Sequence, residues 1–355
     1  MELLVSIYTR KSTKKCCKSD LIITFAILMN SMDLKTKIEQ AVAPELELFN
    51  NEYMDSLKSS TRRLQAAIDH LFYSSGKHIR PLLVLLVAKS CGKITDTTIT
   101  SAVLLELLHT STLIHDDVID ETKERRGVPS LNAIFDNRVA VLTGDYVLST
   151  ALIKAIGTRN LGIIALVSGL GRDLAEGEIK QYETAEELIL DEETYLQVIF
   201  KKTATLLSAC AQCGAISADA SSETIDLFRQ FGENLGLAFQ IKDDIFDYFE
   251  SMNIGKPTGN DIREGKVTMP LLFALQNGCE SKRESMKSII FNRDFSKENI
   301  AALIQFAKDS GGIEYAEKRM DEYYQKAIAC LESLPQTDAK DSLLLLAQYI
   351  IKRNK

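Results

Sequence analysis

Apolar residues recur at intervals of three and four positions in almost every segment from Asp33 to the C-terminus. This spacing is typical of helices that bury one face, whereas the alternation expected of strands is scarce. The chain of 355 residues contains only 6 Pro and 18 Gly, too few turn-forming residues for a sandwich or barrel of short strands. The sequence therefore predicts an all-α fold, a large helical bundle with a single domain.

Two long segments, residues 96–120 and 222–248, carry apolar stripes so wide that most of their faces must be covered. We expect them to be the central helices of the bundle. The other predicted helices cover residues 34–57, 61–73, 80–90, 138–156, 161–182, 194–218, 268–276, 297–309, 313–334 and 338–351. Two connections, residues 121–129 and 251–266, combine turn residues with charge, and each follows a cluster of aspartates.

The composition, 45% hydrophobic and 26% charged, is that of a globular protein. A formal net charge of −7 argues against a nucleic-acid partner, because such proteins need a concentrated positive surface. The seven cysteines are scattered and odd in number, which predicts a reducing compartment and a cytoplasmic location. Cys210 and Cys213 lie in an apolar run without a second ligand pair, so we interpret them as buried small side chains rather than a zinc site.

Residues 1–31 differ from the rest of the chain, because a basic stretch at residues 10–18 precedes an apolar run at residues 21–29. That run is shorter than the roughly 20 residues needed to span a bilayer, and no convincing signal-cleavage site follows it. We interpret residues 1–31 as a disordered leader or misassigned start. The functional domain is then expected over residues 32–355, beginning near Met32.

The two aspartate clusters share the pattern DDxxD. They consist of Asp116, Asp117 and Asp120 in LIHDDVID and of Asp243, Asp244 and Asp247 in IKDDIFD. Residues four apart share one helix face, so each outer pair can bind a cation. Carboxylates at the C-terminal ends of apolar helices are unfavourable unless neutralised. Magnesium prefers oxygen ligands and typically shares them with substrate phosphates, which predicts a diphosphate ligand.

A single such cluster could equally be a solvated acidic helix end. Two copies, each followed by a basic loop that contains glycine, favour a functional interpretation. The basic side chains suited to phosphate are Lys77 and Arg80 in GKHIRP, Arg125 and Arg126 in ERRG, Lys202 in KKTA, and Lys256 and Lys266 in the second loop. Taken singly, each would be interpreted as an ordinary surface residue.

Together these motifs resemble the trans-isoprenyl diphosphate synthases, most closely the bacterial octaprenyl diphosphate synthases. The motifs, in chain order, are GKHIRP, His109, DDVID, RRG, Gly144 and Asp145, KKTA, Gln240, DDIFD and GKPTGNDIREGK. The resemblance extends from Leu34 to the C-terminus. It implies a bundle of the isoprenoid synthase type with a central cavity between long helices.

The resemblance also implies roles for the site residues. Isopentenyl diphosphate would be held through its diphosphate by Lys77, Arg80, His109 and Arg126. Magnesium ions on the allylic diphosphate would be held by Asp116, Asp120 and Asp243, with support from Asp117, Asp244 and Asp247. Positive charge would be added by Arg125, Lys202, Lys256 and Lys266. The reacting end of the allylic chain would be lined by Lys202, Thr203 and Gln240, which with the six aspartates form the predicted catalytic set.

The implied reaction is magnesium-assisted ionisation of an allylic diphosphate, expected to be farnesyl diphosphate, then condensation with isopentenyl diphosphate and proton loss. Such chemistry stabilises a departing anion and needs no nucleophilic side chain. Short-product relatives place aromatic residues near Ser111 and Thr112. These small side chains, with Leu108 behind them, predict an open floor and a stop farther along, on residues 145–156. We therefore expect octaprenyl diphosphate for a quinone side chain.

Several alternatives remain open at this point. The product could be shorter, farnesyl or geranylgeranyl diphosphate, or the chain could be a regulatory or heteromeric prenyltransferase subunit. DDIFD argues against a terpene cyclase, whose second metal motif usually mixes other residues. A purely structural helical protein would leave the basic motifs unexplained. A homodimer and transient membrane contact for product release are further expectations.

Overall fold

The computed structural model of the protein describes residues 34–73, 76, 78–125, 127–249 and 258–352. It confirms the all-α prediction, because helices dominate and the strands within these residues form a single short hairpin. Four sequence-based predictions lie outside the described residues: the leader with its start near Met32, and the roles of Lys77, Arg126 and Lys256.

A helical segment at residues 34–40 precedes the numbered elements. The N-terminal half contains α1 (Ala43–Ser56), α2 (Arg62–Tyr73), α3 (Ile79–Ser90), α4 (Asp96–Ile119), β1 (Glu124–Arg125), β2 (Val128–Pro129), α5 (Leu131–Phe135), α6 (Asn137–Gly157) and α7 (Leu161–Glu187). The C-terminal half contains α8 (Glu192–Ile199), a π-helix (Phe200–Ala204), α9 (Thr205–Ser217), α10 (Ser222–Phe246), α11 (Asn260–Arg263), α12 (Met269–Asn277), α13 (Glu280–Phe291), α14 (Lys297–Asp309), α15 (Gly312–Glu332) and α16 (Asp338–Lys352).

The two predicted central helices, α4 and α10, are central in the structure. Helix α4 packs against α3, α6 and α9, and α10 packs against α9 and α15. Helix α4 starts at a capping box, in which the Thr95 side chain accepts from the Thr98 amide at 3.2 Å and Thr98 Oγ1 accepts from the Thr95 amide at 3.0 Å. Both helices end at their aspartate cluster, so the caps fix where these acids lie along the bundle.

Helix α10 lies unusually close to α9 at Gly232. A Cβ atom at this position would lie 2.5 Å from Ser208 Cα and 2.7 Å from the Leu207 carbonyl oxygen. Real Cβ atoms do not approach backbone this closely, so only glycine permits the contact. The close approach sets the position of the α10 C-terminal turns relative to the π-helix and α9.

The structure differs from the sequence prediction in three local features. The predicted helix over residues 194–218 is interrupted by the π-helix, in which the Thr205 amide donates to the Phe200 carbonyl. Helix α13 was not predicted, because it buries only one side chain, Ile290, and so has almost no apolar stripe. The connection over residues 121–129 forms the β1–β2 hairpin rather than an irregular loop.

The interpretation of the C-x-x-C pair is confirmed. Cys210 and Cys213 are fully buried in α9, within the main hydrophobic cluster. Burial raises the pKa of both thiols, that of Cys213 to about 12. Thiols that stay protonated in this way behave as small apolar side chains.

Candidate functional site

The first aspartate cluster occupies the last turn of α4, and its three acids have different surroundings. Asp117 is buried, and its Oδ1 atom accepts from Arg125 Nε at 2.8 Å and from the Arg125 terminal nitrogen at 2.6 Å. Its carbonyl oxygen accepts from Asn132 Nδ2 at 3.0 Å. Asp117 therefore fixes the β1–β2 hairpin and the start of α5 against the end of α4.

Asp116 lies on another face of the same turn, where the ionised form of its carboxyl group is unfavourable. Burial, together with the negative charges of Glu178 and Asp120, raises the pKa of its carboxyl to about 6. The ammonium group of Lys202 and the guanidinium group of Arg125 act in the opposite direction. A carboxyl with a raised pKa among other acids is a candidate functional group, because a bound cation would relieve the burial of its charge.

The acids of the second cluster, at the end of α10, make different contacts. Both carboxylate oxygens of Asp247 accept backbone amides, from Asn260 at 3.1 Å and from Asp261 at 3.0 Å. These bonds hold the start of α11 and hence the end of the loop after the cluster. Asp243 is half-buried on the same helix.

Asp244 is buried and accepts hydrogen bonds at both oxygens. Tyr195 donates to Oδ2 at 2.6 Å and Gln240 Nε2 donates to Oδ1 at 2.8 Å. Thr203 in turn donates to Gln240 Oε1 at 2.8 Å. Burial raises the pKa of Asp244 well above its usual range, and the nearby Asp261 adds to the rise, while the two donors oppose it.

A cavity lies between α7, α8, the π-helix, α10 and the loop before α12, and Asp244 of the second cluster lines it. Its polar lining consists of Gln181, Thr184, Tyr195, Lys202, Thr203, Gln240, Asp244, Asp261, Lys266 and Thr268. Burial disfavours the ammonium form of Lys266, yet the hydrogen bond to Glu264 and the charges of Asp120 and Asp261 raise its pKa overall. The charge of Lys202 acts on Asp116 and that of Asp120 acts on Lys266, so the first cluster lies near two lysines that line this cavity.

Three of the predicted phosphate-binding side chains are paired with carboxylates. Arg125 pairs with Asp117, Lys202 Nζ lies 2.6 Å from Glu178, and Lys266 Nζ lies 2.6 Å from Glu264. The Lys202 pair depends on close contact between α7 and the π-helix at Gly177, where a Cβ atom would lie 2.9 Å from the Lys202 amide nitrogen. Carboxylate partners thus hold these three basic side chains in position.

A second cavity lies on the other side of α4, and it contains the predicted residue His109. Its polar lining consists of Tyr53, His70, His78, Glu106, His109, Thr110, Asp117, Arg125 and Ser130. Arg80, predicted to bind here, lies in the first turn of α3, and its charge acts on buried Cys210. Asp117 and Arg125 line this cavity, and Asp117 is the neighbour of Asp116 in the last turn of α4.

The predicted chain-length residues occupy the turns of α4 before Asp116. Ser111 and Leu108 are each 1% exposed and belong to the packed interior. Thr112 is half-buried, and its hydroxyl donates to the His109 carbonyl at 2.8 Å. His115 lies with Nε2 3.3 Å from Asp145 Oδ1, so this histidine contacts the start of α6 rather than either cavity.

The carboxylates fit divalent cations that are shared with a phosphate ligand. Among the described residues, no three His, Cys, Asp or Glu side chains converge into a complete metal site. Magnesium differs from zinc in this respect, since it commonly takes one or two protein carboxylates and fills its shell with water and substrate phosphates. Asp116 and Asp120 on one side and Asp243 on the other are of the type and number that such sites need.

Sequence reasoning missed Tyr195, Glu178 and Asp261. Tyr195 comes eight residues before Thr203 in a segment without any motif, so no signal marked it. Glu178 and Asp261 belong to short acidic stretches, EGEIK and GNDIREG, which are ambiguous alone. Their position beside Lys202 and Lys266 is evident only in three dimensions.

The family model of polyprenyl synthetase matches residues 61–307. The chain is 32% identical over 320 residues to an octaprenyl diphosphate synthase of Escherichia coli, covering 90% of this chain and 99% of that protein. A solved structure of a polyprenyl synthase from Caulobacter crescentus, complexed with calcium and isoprenyl diphosphate, superimposes with a TM-score of 0.84 at 30% identity, covering 90% and 98% of the two chains.

A geranylgeranyl pyrophosphate synthase structure from Bacteroides thetaiotaomicron superimposes with a TM-score of 0.79 at 41% identity, covering 91% of this chain and all of that one. The matches extend over most of the protein and include both aspartate clusters. The helical fold is therefore that of the isoprenoid synthases. The chain belongs to the polyprenyl synthetase family, and it is a prenyltransferase.

Proposed function

We propose that the protein is a magnesium-dependent trans-polyprenyl diphosphate synthase that adds isopentenyl diphosphate repeatedly to farnesyl diphosphate. The observation that carries the proposal is the cavity lined by Lys202, Lys266 and Asp244, whose two lysines interact with the charges of Asp116 and Asp120 in the first cluster. Alternating acids and bases around one space suit a diphosphate bound through cations. The regulatory-subunit alternative is not favoured, since such subunits generally lack one of the two clusters.

In this proposal, Asp116, Asp120 and Asp243 hold the magnesium ions, which would neutralise the departing diphosphate. Lys202 and Lys266 contact the same diphosphate, exchanging their carboxylate partners for phosphate oxygens. Arg125 remains paired with Asp117 and provides positive charge close to Asp116. Supporting roles fall to Asp117, Asp244 and Asp247, each of which already holds neighbouring elements in place.

The second cavity is the proposed site of isopentenyl diphosphate. His109 and Arg125 line this cavity. Arg80 lies in the first turn of α3, the helix that begins just after His78, which also lines the cavity. Lys77 and Arg126 are proposed to complete it. Isopentenyl diphosphate bound in this cavity would lie beside the end of α4. Its double bond could then approach the allylic carbon of the substrate in the first cavity.

The main test is condensation by the full-length purified protein with magnesium, farnesyl diphosphate and labelled isopentenyl diphosphate, with products separated by length. We expect a ladder that ends near octaprenyl diphosphate and disappears when EDTA removes the metal. A ladder ending at geranylgeranyl diphosphate would support the shorter product suggested by the relative from Bacteroides thetaiotaomicron. Absence of any metal-dependent product would contradict the proposed reaction.

Two features support the longer product. Ser111 is small and buried, and α6, which packs against α4, turns a row of small residues inward: Ala140, Thr143, Gly144, Val147, Ala151 and Ala155. We propose that the small residues on both helices let a growing apolar chain pass between them below Asp116, where an aromatic ring would block it. We further propose that the product serves as a quinone side chain precursor and that the enzyme acts in the cytoplasm with transient membrane contact.

Replacing Ser111 with Phe should shorten the product by at least one isoprene unit while leaving the first condensation active, because the ring fills the space below Asp116. Product length by chromatography after dephosphorylation is the measurement. Ser111→Ala, which removes the hydroxyl without adding bulk, is the matched control and should give the wild-type ladder. An unchanged ladder from an active Ser111→Phe enzyme would place the stop elsewhere.

We also propose a homodimer formed by the outer faces of α6 and α7. Helix α6 is apolar enough and long enough to cross a bilayer, and α4 also meets that criterion, but within the described residues α6 is far less buried. Leu142 is 60% exposed, Ile153 68%, Ile156 64% and Leu161 82%. A contiguous apolar face of this kind marks an interaction surface, and a second copy of the same chain covers it symmetrically.

The dimer predicts that Leu142→Arg with Ile153→Arg yields monomers in sedimentation experiments, whereas the unaltered protein has twice the mass of its 39.6 kDa chain. Phe291→Arg is the control, because Phe291 is 57% exposed on α13, outside the proposed interface. That variant should remain dimeric. A monomeric wild-type protein that binds vesicles through this face would instead assign the surface to the membrane.

Removing the charge of Asp116 and removing that of Asp117 should change the free energy of unfolding of the metal-free protein in opposite directions. The raised pKa of Asp116 means that folding disfavours its ionised form, so stability is lost as pH rises from about 4 to about 6. Asp116→Asn should therefore raise the free energy of unfolding at pH 8 by about 1–3 kcal/mol, after allowance for solvent screening. The gain should vanish below about pH 3, where the carboxyl is protonated in both states.

Asp117→Asn should lower stability by a similar amount, about 1–3 kcal/mol, because it leaves Arg125 without its partner. Denaturant unfolding in EDTA at several pH values measures both effects. Each variant should also lose most of its condensation activity. A destabilised Asp116→Asn protein at pH 8 would show that this carboxylate is stabilised by its neighbours rather than held for a cation.

A further inference from the structure

A continuous chain of hydrogen bonds connects α8 to the wall of the reaction cavity. Tyr195 donates to Asp244 Oδ2 at 2.6 Å, Gln240 Nε2 donates to Asp244 Oδ1 at 2.8 Å, and Thr203 donates to Gln240 Oε1 at 2.8 Å. All four residues line the first cavity. The chain therefore begins at a buried phenol and ends at a hydroxyl group beside the proposed reaction centre.

Each hydrogen bond in this chain has a defined donor and a defined acceptor. Each oxygen of Asp244 already accepts a hydrogen bond, so the group of Gln240 that faces it is the amide nitrogen. The amide oxygen of Gln240 must then face Thr203 and accept its proton. Because the single hydroxyl proton of Thr203 is used in this bond, its remaining lone pairs are available to the cavity.

An acceptor at this position suits the proposed reaction. Ionisation of the allylic diphosphate leaves positive charge on carbon, which oxygen lone pairs stabilise and hydroxyl protons repel. If the amide of Gln240 turned over, its nitrogen would donate to Thr203 and the hydroxyl proton would point into the cavity. The polarity of the wall at Thr203 is thus controlled by Asp244, two hydrogen bonds away, and by Tyr195, three hydrogen bonds away.

Tyr195 is held firmly enough to control that polarity. It is 7% exposed, and burial together with the charge of Asp244 raises its pKa well above the usual range, so its hydroxyl remains a donor. Its helix is anchored from the opposite side, where Glu192 accepts from the Tyr315 hydroxyl at 2.6 Å and from Arg319 Nε at 3.0 Å. Helix α8 therefore connects the α15 surface to the cavity.

We propose that Tyr195 is a positioning residue of the prenyl transfer, which fixes Asp244 and Gln240 so that Thr203 presents lone pairs to the developing carbocation. This inference rests on the proposed function and adds a residue to it. It predicts that Tyr195 acts on the rate of the chemical step and does so through Thr203.

The test is a double-mutant cycle on the single-turnover rate of condensation between farnesyl and isopentenyl diphosphates. We expect Tyr195→Phe to lower this rate about 10-fold, with the KM for farnesyl diphosphate changed by less than about twofold. Thr203→Val should lower the rate at least as much. In the double variant, Tyr195→Phe should reduce the rate of Thr203→Val by no more than about twofold.

Tyr248→Phe is the matched control. Its hydroxyl lies 3.1 Å from Thr268 Oγ1, and the residue is equally buried at the end of α10, yet it is outside the chain of hydrogen bonds. Its rate should stay within about twofold of wild type. Thermal unfolding of every variant verifies that the phenyl ring preserves the packing of the core.

Losses that multiply in the double variant would overturn the inference, since Tyr195 would then act independently of Thr203. An equal loss in Tyr248→Phe would overturn it as well, because any buried hydroxyl would have the same effect. Both results require an active wild-type enzyme, so they leave the proposed function intact. A wild-type protein without condensation activity would reject the proposed function itself.

Discussion

The arrangement of the site depends on the unfavourable burial of carboxylates at the ends of two apolar helices. Asp116 shows this most clearly, because its pKa rises to about 6 in spite of the nearby Lys202 and Arg125. Helices α4 and α10 cannot place acids there without opposite charge close by. Arg125 and the hairpin are accordingly held by Asp117 and the start of α11 by Asp247, while Lys202 and Lys266 pair with Glu178 and Glu264 nearby.

Within each DDxxD pattern, at least one acid holds neighbouring elements of the protein together. Asp117 binds Arg125, Asp247 holds the start of α11, and Asp244 accepts from Tyr195 and Gln240. Asp116, Asp120 and Asp243 are the proposed metal ligands. A pattern of identical residues thus combines rigid support with reactive groups, as a site needs if its ligands are to keep their geometry.

Much of this could be predicted from the sequence, and the limits have physical causes. The spacing of apolar residues located α4 and α10, and the paired motifs identified the cavity, because both are properties of single segments. The π-helix was not predictable, since FKKTA has ordinary helical periodicity and its wide turn reflects tertiary contacts. Glu178, Glu264 and Tyr195 lacked a local signal because their importance arises from partners distant in sequence. The hairpin depends on Asp117, an interaction that connects separate elements.

The π-helix at Phe200–Ala204 has a consequence for how this protein can vary. A wide turn contains one more residue than the α-helical turn it replaces, so α8 and α9 are out of phase by about 100° relative to an uninterrupted helix. Tyr195 on one side and the buried face of α9 on the other are both correctly directed only because of that extra residue. Deleting one residue here would rotate the whole of α9 and expose Cys210 and Cys213. Insertions and deletions are therefore excluded from this segment, although substitutions on its outer side are not.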